Sequence, residues 1–194
     1  MRAVIQRVKS ASVTVAGNKV SEIGRGMLAL VGVAEGDTEK DAESLAAKLA
    51  SLRLWDESIA SQPGTADAEG DASTTPPRPW RKNVQEIEGQ VLCVSQFTLL
   101  AKVQKGSKPD FHNAAKGAAA KELYEKVLEG LRKSLPGEGR VQDGVFGAMM
   151  DVALVNDGPV TICEGLTAAS LTCLAEIADA EPIPPSVLDT ADKK

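Results

Sequence analysis

Ser95-Gln96-Phe97-Thr98 is the stretch with the most chemistry to offer. It closes an apolar run over residues 91–97, so it sits where a buried strand would end. Two hydroxyls, an amide and free backbone N–H groups arrive there together. N–H groups so placed can stabilise an oxyanion in acyl chemistry. A strand that simply ends in polar residues fits the same pattern. A second stretch is Asn156-Asp157-Gly158-Pro159-Val160-Thr161. Its composition reads as a turn between two strands. A Gly-Pro bond can also be cis, which aims carbonyls where a trans bond cannot. The third is the basic loop Lys102, Lys105 and Lys108, with Arg81 and Lys82 as further cations. It suits phosphate contacts, or an ordinary solvated surface.

Other chemistries find little support. There is one histidine, His112, and nothing marks it as a general base for a Ser-His-Asp triad. The cysteines Cys93, Cys163 and Cys173 are odd in number and lack CxxC spacing, so neither a disulfide framework nor a zinc site is expected. Cys93 and Cys163 lie in apolar runs and read as small core residues. No phosphate-binding Gly-rich motif and no spaced carboxylate pair is present. No metal and no cofactor is expected. No apolar run approaches the roughly 20 residues of a membrane span, and the first residues do not resemble a signal peptide. Cytoplasmic residence follows as an expectation. A net charge of -5 opposes wrapping a nucleic acid, so any such contact must be local.

The elements that must position these residues can be read from periodicity. Residues 3–8 and 11–15 read as two strands, the second with strict alternation. Gly17-Asn18 signals a hairpin turn, followed by a short strand over 20–23. Residues 27–34 form a continuous apolar run suited to a central strand. A helix is expected over 38–53, with Thr38 and Asp41 as a capping box and Ala42, Leu45, Ala46, Leu49 and Leu52 on one face. Leu54-Trp55 starts another extended piece. Residues 57–80, rich in Ala, Ser, Thr, Gly and Pro, read as a flexible insertion. A second helix is expected over 113–133, with Ala115, Ala119, Leu123, Val127 and Leu131 as its stripe. Residues 145–155 read as extended. After Gly165 a short amphipathic helix over 166–178 and a Pro-rich, disordered end over 181–194 are expected. The order implies an α/β (α+β) fold: a mixed, largely antiparallel, barrel-like sheet with two flanking helices.

Three segments together resemble the D-aminoacyl-tRNA deacylase family. They are Met1-Arg2-Ala3-Val4-Ile5-Gln6-Arg7-Val8 with Ala11-Ser12-Val13, then Ser95-Gln96-Phe97-Thr98-Leu99, then Asn156-Asp157-Gly158-Pro159-Val160-Thr161. Lys108-Pro109-Asp110-Phe111-His112 and Phe146-Gly147-Ala148 resemble the family's eukaryotic branch. The likeness spans residues 1–164 apart from the insertion; the extension over 165–194 has no counterpart in it. It implies hydrolysis of D-aminoacyl-tRNA esters by a homodimer whose sites borrow from the partner. It also implies that Ser95, Gln96, Phe97 and Thr98 line a pocket for the 3′ end of the aminoacyl-tRNA. Gln96 would position the ester, and the Phe97 and Thr98 N–H groups would face the oxyanion. Thr98 has no activating base in the motif, so the resemblance favours assistance by the tRNA 2′-hydroxyl. Gly158-Pro159, as a cis peptide, would enter the partner's pocket and exclude L-amino acids; glycine would slip through. Lys105 and Lys108 are assigned to acceptor-stem phosphates. Two other readings stand beside this one: an esterase or peptidase with Thr98 as nucleophile, and a non-catalytic nucleic-acid-binding dimer. Duplex DNA binding is possible for such a dimer, but the acidic charge disfavours it.

Overall fold

A computed structural model describes residues 1–59, 77–103 and 108–165. The chain divides into two units, Met1–Glu164 and Gly165–Lys194. The segments 60–76, 104–107 and 166–194 lie outside the described residues. The readings of a helix over 166–178 and of disorder over 181–194 fall there, as does most of the insertion.

Residues 3–8 and 11–15 belong to one strand, β1 (Arg2–Val15), 14 residues long. Two bulges explain why the pattern looked like two. The ladder to the last strand shifts between Gln6 and Val8 and again between Val8 and Ser10. The first shift adds residues to β8, whereas the second adds one residue to β1 and so changes which face its later side chains take. Ala3 and Ile5 therefore join the core beneath the helices, while Val8, Ala11 and Val13 join a second core on the opposite side. One strand thus serves two cores.

β2 (Asn18–Ile23) returns from the Ala16-Gly17 turn, antiparallel to β1. β3 (Gly26–Gly32) lies antiparallel to β1. It is buried on both faces, with Met27, Ala29 and Val31 in the first core and Leu28 in the second. α1 (Glu39–Ser51) begins where expected. The Asp41 carboxylate accepts the Thr38 hydroxyl at 2.6 Å and the Thr38 backbone N–H at 2.8 Å, and these bonds, the hydroxyl's first, hold the Asp41 pKa below its usual range. The helix stops before Arg53, because β4 (Arg53–Trp55) pairs there with β5 (Lys82–Asn83). β6 (Gln90–Ser95) runs parallel to β3 and to β7 (Val141–Asp143). β8 (Asp151–Glu164) runs antiparallel to β1 on either side of residues 157–160, which have no partner in the ladder. The main sheet is ordered β2-β1-β3-β6-β7, with β8 on β1. It curls into a nearly closed barrel, bringing β2 near β7, and α1 and α2 (Gly117–Ser134) pack together beside it.

Four expectations need correction. The second helix starts at Gly117, not at 113, because residues 113–115 are spent on backbone bonds to the end of β3. Glu35 N donates to Asn113 O and Ala115 N to Val33 O, each at 2.9 Å. Its buried face is Ala120, Tyr124, Val127, Leu128 and Leu131, turned from the expected stripe so that the Tyr124 hydroxyl reaches Cys93 O at 2.9 Å. Residues 145–150 are not strand: Ala148 N bonds back to Val145 O, closing a turn. Residues 156–159 are not a turn between strands; they lie within β8. Cys93 is core, but Cys163 is exposed, since it falls on the outward phase of β8.

Candidate active site

Ser95 ends β6 opposite Val31 of β3. The chain then bends sharply. Gln96 N donates to Val31 O at 2.7 Å, and Phe97–Leu100 forms a single 3-10 turn. Two features let this turn sit tight on the sheet. A Cβ at Gly32 would come within 2.4 Å of Leu100 Cδ2 and 2.9 Å of Gln96 O, so only glycine permits the approach. Arg2, reaching from β1, donates from Nη1 to Leu99 O at 2.9 Å.

The consequence is chemical. As the first residues of the turn, Phe97 and Thr98 have N–H groups with no carbonyl partner among the described residues. The Thr98 hydroxyl accepts from Gln96 Nε2 at 2.5 Å. An amide donor withdraws electron density from that oxygen and takes no proton from it. His112 is no base for it either: its ring is exposed and bonded to Asp110, a contact that lowers the Asp110 pKa.

These residues form one wall of a cavity of about 700 Å³. Val31, Val94 and Ala120 line it from the sheet and α2, and Phe146, Met149 and Met150 from the 145–150 turn. Phe97 and Phe111 meet edge to face at 5.1 Å between centroids, with Phe97 56 % exposed. The volume is in the range that takes a drug-sized or nucleoside-sized ligand. Its lining is mostly apolar, with Ser95, Gln96, Thr98 and Lys116 as the polar side chains among the described lining residues. Among the described residues no group of His, Cys, Asp and Glu is placed to hold a metal ion, and no helix is long and apolar enough to cross a membrane.

Gly158 and Pro159 do not line this cavity. Their peptide bond is cis, and Gly158 has φ +118°. They occupy a loop of β8 in which residues 157–160 stand opposite Arg7 alone. Arg7 holds that loop. Its Nε donates to Asp157 O at 3.2 Å and pairs with the Asp157 carboxylate at 3.1 Å, while Nη1 reaches Leu54 O at 2.5 Å. A Cβ on Gly158 would lie 3.1 Å from Arg7 Nη2 and 3.0 Å from Val160 Cγ2. Of the basic loop, Lys102 and Lys108 are described and exposed, with Lys102 bridged to Asp110; Lys105 lies outside the described residues. Arg2, Arg7 and Lys116, which lines the cavity, were missed by sequence reading. For the arginines, Arg2 and Arg7 flanking the apolar Ala3-Val4-Ile5 stretch of the first strand were the available signal.

A family model and curated relatives agree on one family. A family model described as D-Tyr-tRNA(Tyr) deacylase matches residues 4–164. A D-aminoacyl-tRNA deacylase of Yarrowia lipolytica is 54 % identical over 162 residues, covering 84 % of this chain and 95 % of that protein. A D-aminoacyl-tRNA deacylase of Saccharomyces cerevisiae is 44 % identical, with coverage of 84 % and 96 %. Among solved structures, a c-Myc DNA unwinding element binding protein is 42 % identical with a TM-score of 0.71, covering 87 % of this chain and 100 % of that one. A probable eukaryotic D-amino acid tRNA deacylase shares the fold at a TM-score of 0.67 and 17 % identity, over 84 % of this chain and 97 % of that one.

Proposed function

Because this chain belongs to the D-Tyr-tRNA(Tyr) deacylase family, we propose that it hydrolyses the ester of D-aminoacyl-tRNA, releasing the D-amino acid and free tRNA. The observation that carries the reading is the turn at Phe97–Leu100. Two residues whose N–H groups are unbonded among the described residues line a cavity large enough for a terminal nucleoside and its ester. As water adds to the ester carbonyl, its oxygen gains charge, and the Phe97 and Thr98 N–H groups stabilise it. The bond to the ribose oxygen then breaks, and that oxygen takes a proton. No described side chain is placed to act as base for Thr98, so the 2′-hydroxyl of the terminal ribose assists the attack. Ser95 and Gln96 orient the ester.

Chirality is set by a second copy of the chain. β8 pairs only with β1 among the described strands, and Leu154 and Val155, on its two faces, are 36 % and 54 % exposed. A 14-residue edge strand with exposed apolar side chains favours pairing with a copy of itself. In that dimer the Gly158-Pro159 carbonyls of one subunit enter the other's cavity and fill the space an L side chain needs. D side chains point outward, and glycine, which has none, is accepted. Lys105 and Lys108 contact acceptor-stem phosphates.

The purified chain should release tyrosine from D-tyrosyl-tRNA; no release would end the proposal. Subunit mixing tests the shared site. Gln96→Ala chains mixed with Gly158→Ala chains should regain D-selective activity, because one mixed site has both parts intact. Activity no higher than that of the two separate variants would rule out sharing. The duplex-binding reading is tested by gel shift with duplex DNA at physiological salt, where the acidic charge predicts no complex.

A further inference from the structure

Of the described residues lining the cavity, Lys116 is the only one with a charged side chain. Its neighbours there are aliphatic, aromatic, methionine or neutral polar residues. The fold places its backbone with care. Ala114 bridges to Ala34, and Ala115 N donates to Val33 O at 2.9 Å, so the chain is pinned to the end of β3 immediately before Lys116. The side chain itself is exposed. It forms no ion pair or hydrogen bond with a described residue, in contrast to Lys48, Lys121, Lys126 and Lys133, which all pair with glutamates. Next to it, a Cβ on Gly117 would meet nothing within 4 Å, so the space beside the backbone there is open.

An unpaired cation at the edge of an apolar cavity, in a chain of net charge -5, calls for an anionic ligand group just outside that cavity. We propose that Lys116 binds the phosphodiester that joins the terminal nucleoside in the cavity to the rest of the polynucleotide. The inference rests on the reading of the cavity as the site of an aminoacyl nucleoside. A terminal nucleoside ester has no phosphate of its own inside the cavity. The first phosphate stands one sugar away, at the rim, within reach of a lysine. Lys116 thereby acts as a positioning residue: it fixes how deep the 3′ end enters and makes a single electrostatic contact.

The test uses the full-length protein with D-tyrosyl-tRNA across a range of salt concentrations. Lys116→Ala should raise KM roughly fivefold at low salt, the worth of one partly screened contact, with kcat little changed. The slope of log kcat/KM against log salt should become shallower by about 0.7, the value for one single-strand phosphate. Lys116→Arg should restore both, and the melting temperature should not move. A Lys116→Ala enzyme with unchanged KM and salt slope overturns the assignment while leaving the deacylase reading intact. A drop in kcat alone, not rescued by arginine, also overturns it. A wild-type enzyme without activity on D-tyrosyl-tRNA overturns the reading on which the assignment rests.

Discussion

Arg7 grips Asp157 twice, through its carbonyl at 3.2 Å and its carboxylate at 3.1 Å, and so ties the first strand to the loop that carries Gly158-Pro159. The same guanidinium reaches Leu54 O at 2.5 Å, locking the loop to a third segment of chain. Its side chain is only 18 % exposed, so the contact is partly shielded from solvent. Hydrogen bonds to a charged group are worth about 1.5–3 kcal/mol each. Arg7→Ala should loosen the loop, lowering the ratio of D- to L-aminoacyl-tRNA hydrolysis by roughly tenfold or more while D-hydrolysis falls less. Lysine lacks the fork geometry and should not rescue selectivity. Steady-state rates with both enantiomeric substrates check this. An unchanged ratio would remove Arg7 from the account.

Thr98 offers a second test. Its oxygen accepts from Gln96 Nε2 and has no base beside it. Thr98→Ala should therefore keep kcat within a few-fold of wild type. Substrate whose terminal ribose lacks the 2′-hydroxyl should lose roughly a hundredfold or more, the usual worth of a positioned proton-transfer group. Loss of activity in Thr98→Ala, with full activity on the 2′-deoxy substrate, would restore Thr98 as the nucleophile.

Gly32 controls the geometry of the turn from behind. A methyl group there would sit 2.4 Å from Leu100 Cδ2 and 2.9 Å from Gln96 O. Overpacking of this kind costs about 1–3 kcal/mol. Gly32→Ala should lower the melting temperature and cut kcat, since it displaces the N–H groups of Phe97 and Thr98. Thermal unfolding and single-turnover kinetics on one preparation would show whether the two effects travel together.

Cys93 lies in the core, and burial pushes its thiol up to about 12 from an ordinary 9.0. The native protein should resist alkylation of Cys93 near pH 9, while urea-unfolded protein should be modified quickly. Peptide mapping after iodoacetamide treatment reads this directly. The sign of the stability effect follows. Below pH 9 the thiol is protonated in both states. Between about 9 and 12 only the unfolded chain releases the proton, so the contribution of Cys93 to stability is lost as pH rises through that window.

Much of the fold was legible in the sequence because its signals are local. The Thr38-Asp41 box starts α1, and the apolar run over 27–34 marks the doubly buried β3. What escaped depends on partners far away in sequence. The extra residue in β1 between Val8 and Ser10 shows only against β8, so one strand read as two. Residues 113–115 looked helical until β3 claimed their backbone groups. Asn156-Asp157-Gly158-Pro159 has turn composition, yet its Arg7 clamp keeps it inside a continuous strand. At the site, the polar quartet at 95–98 announced itself by type and place. Arg2, Gly32 and Lys116 did not, since each matters only through what it approaches in space.

Handedness of the amino acid separates a D-aminoacyl-tRNA deacylase from a general esterase, and one pair of substrates measures it. Purified protein is given D-tyrosyl-tRNA and L-tyrosyl-tRNA in parallel, and kcat/KM is measured for release of tyrosine from each. Release from the D ester, with hydrolysis of the L ester no faster than without enzyme, is the predicted result. Comparable rates on both esters would contradict it.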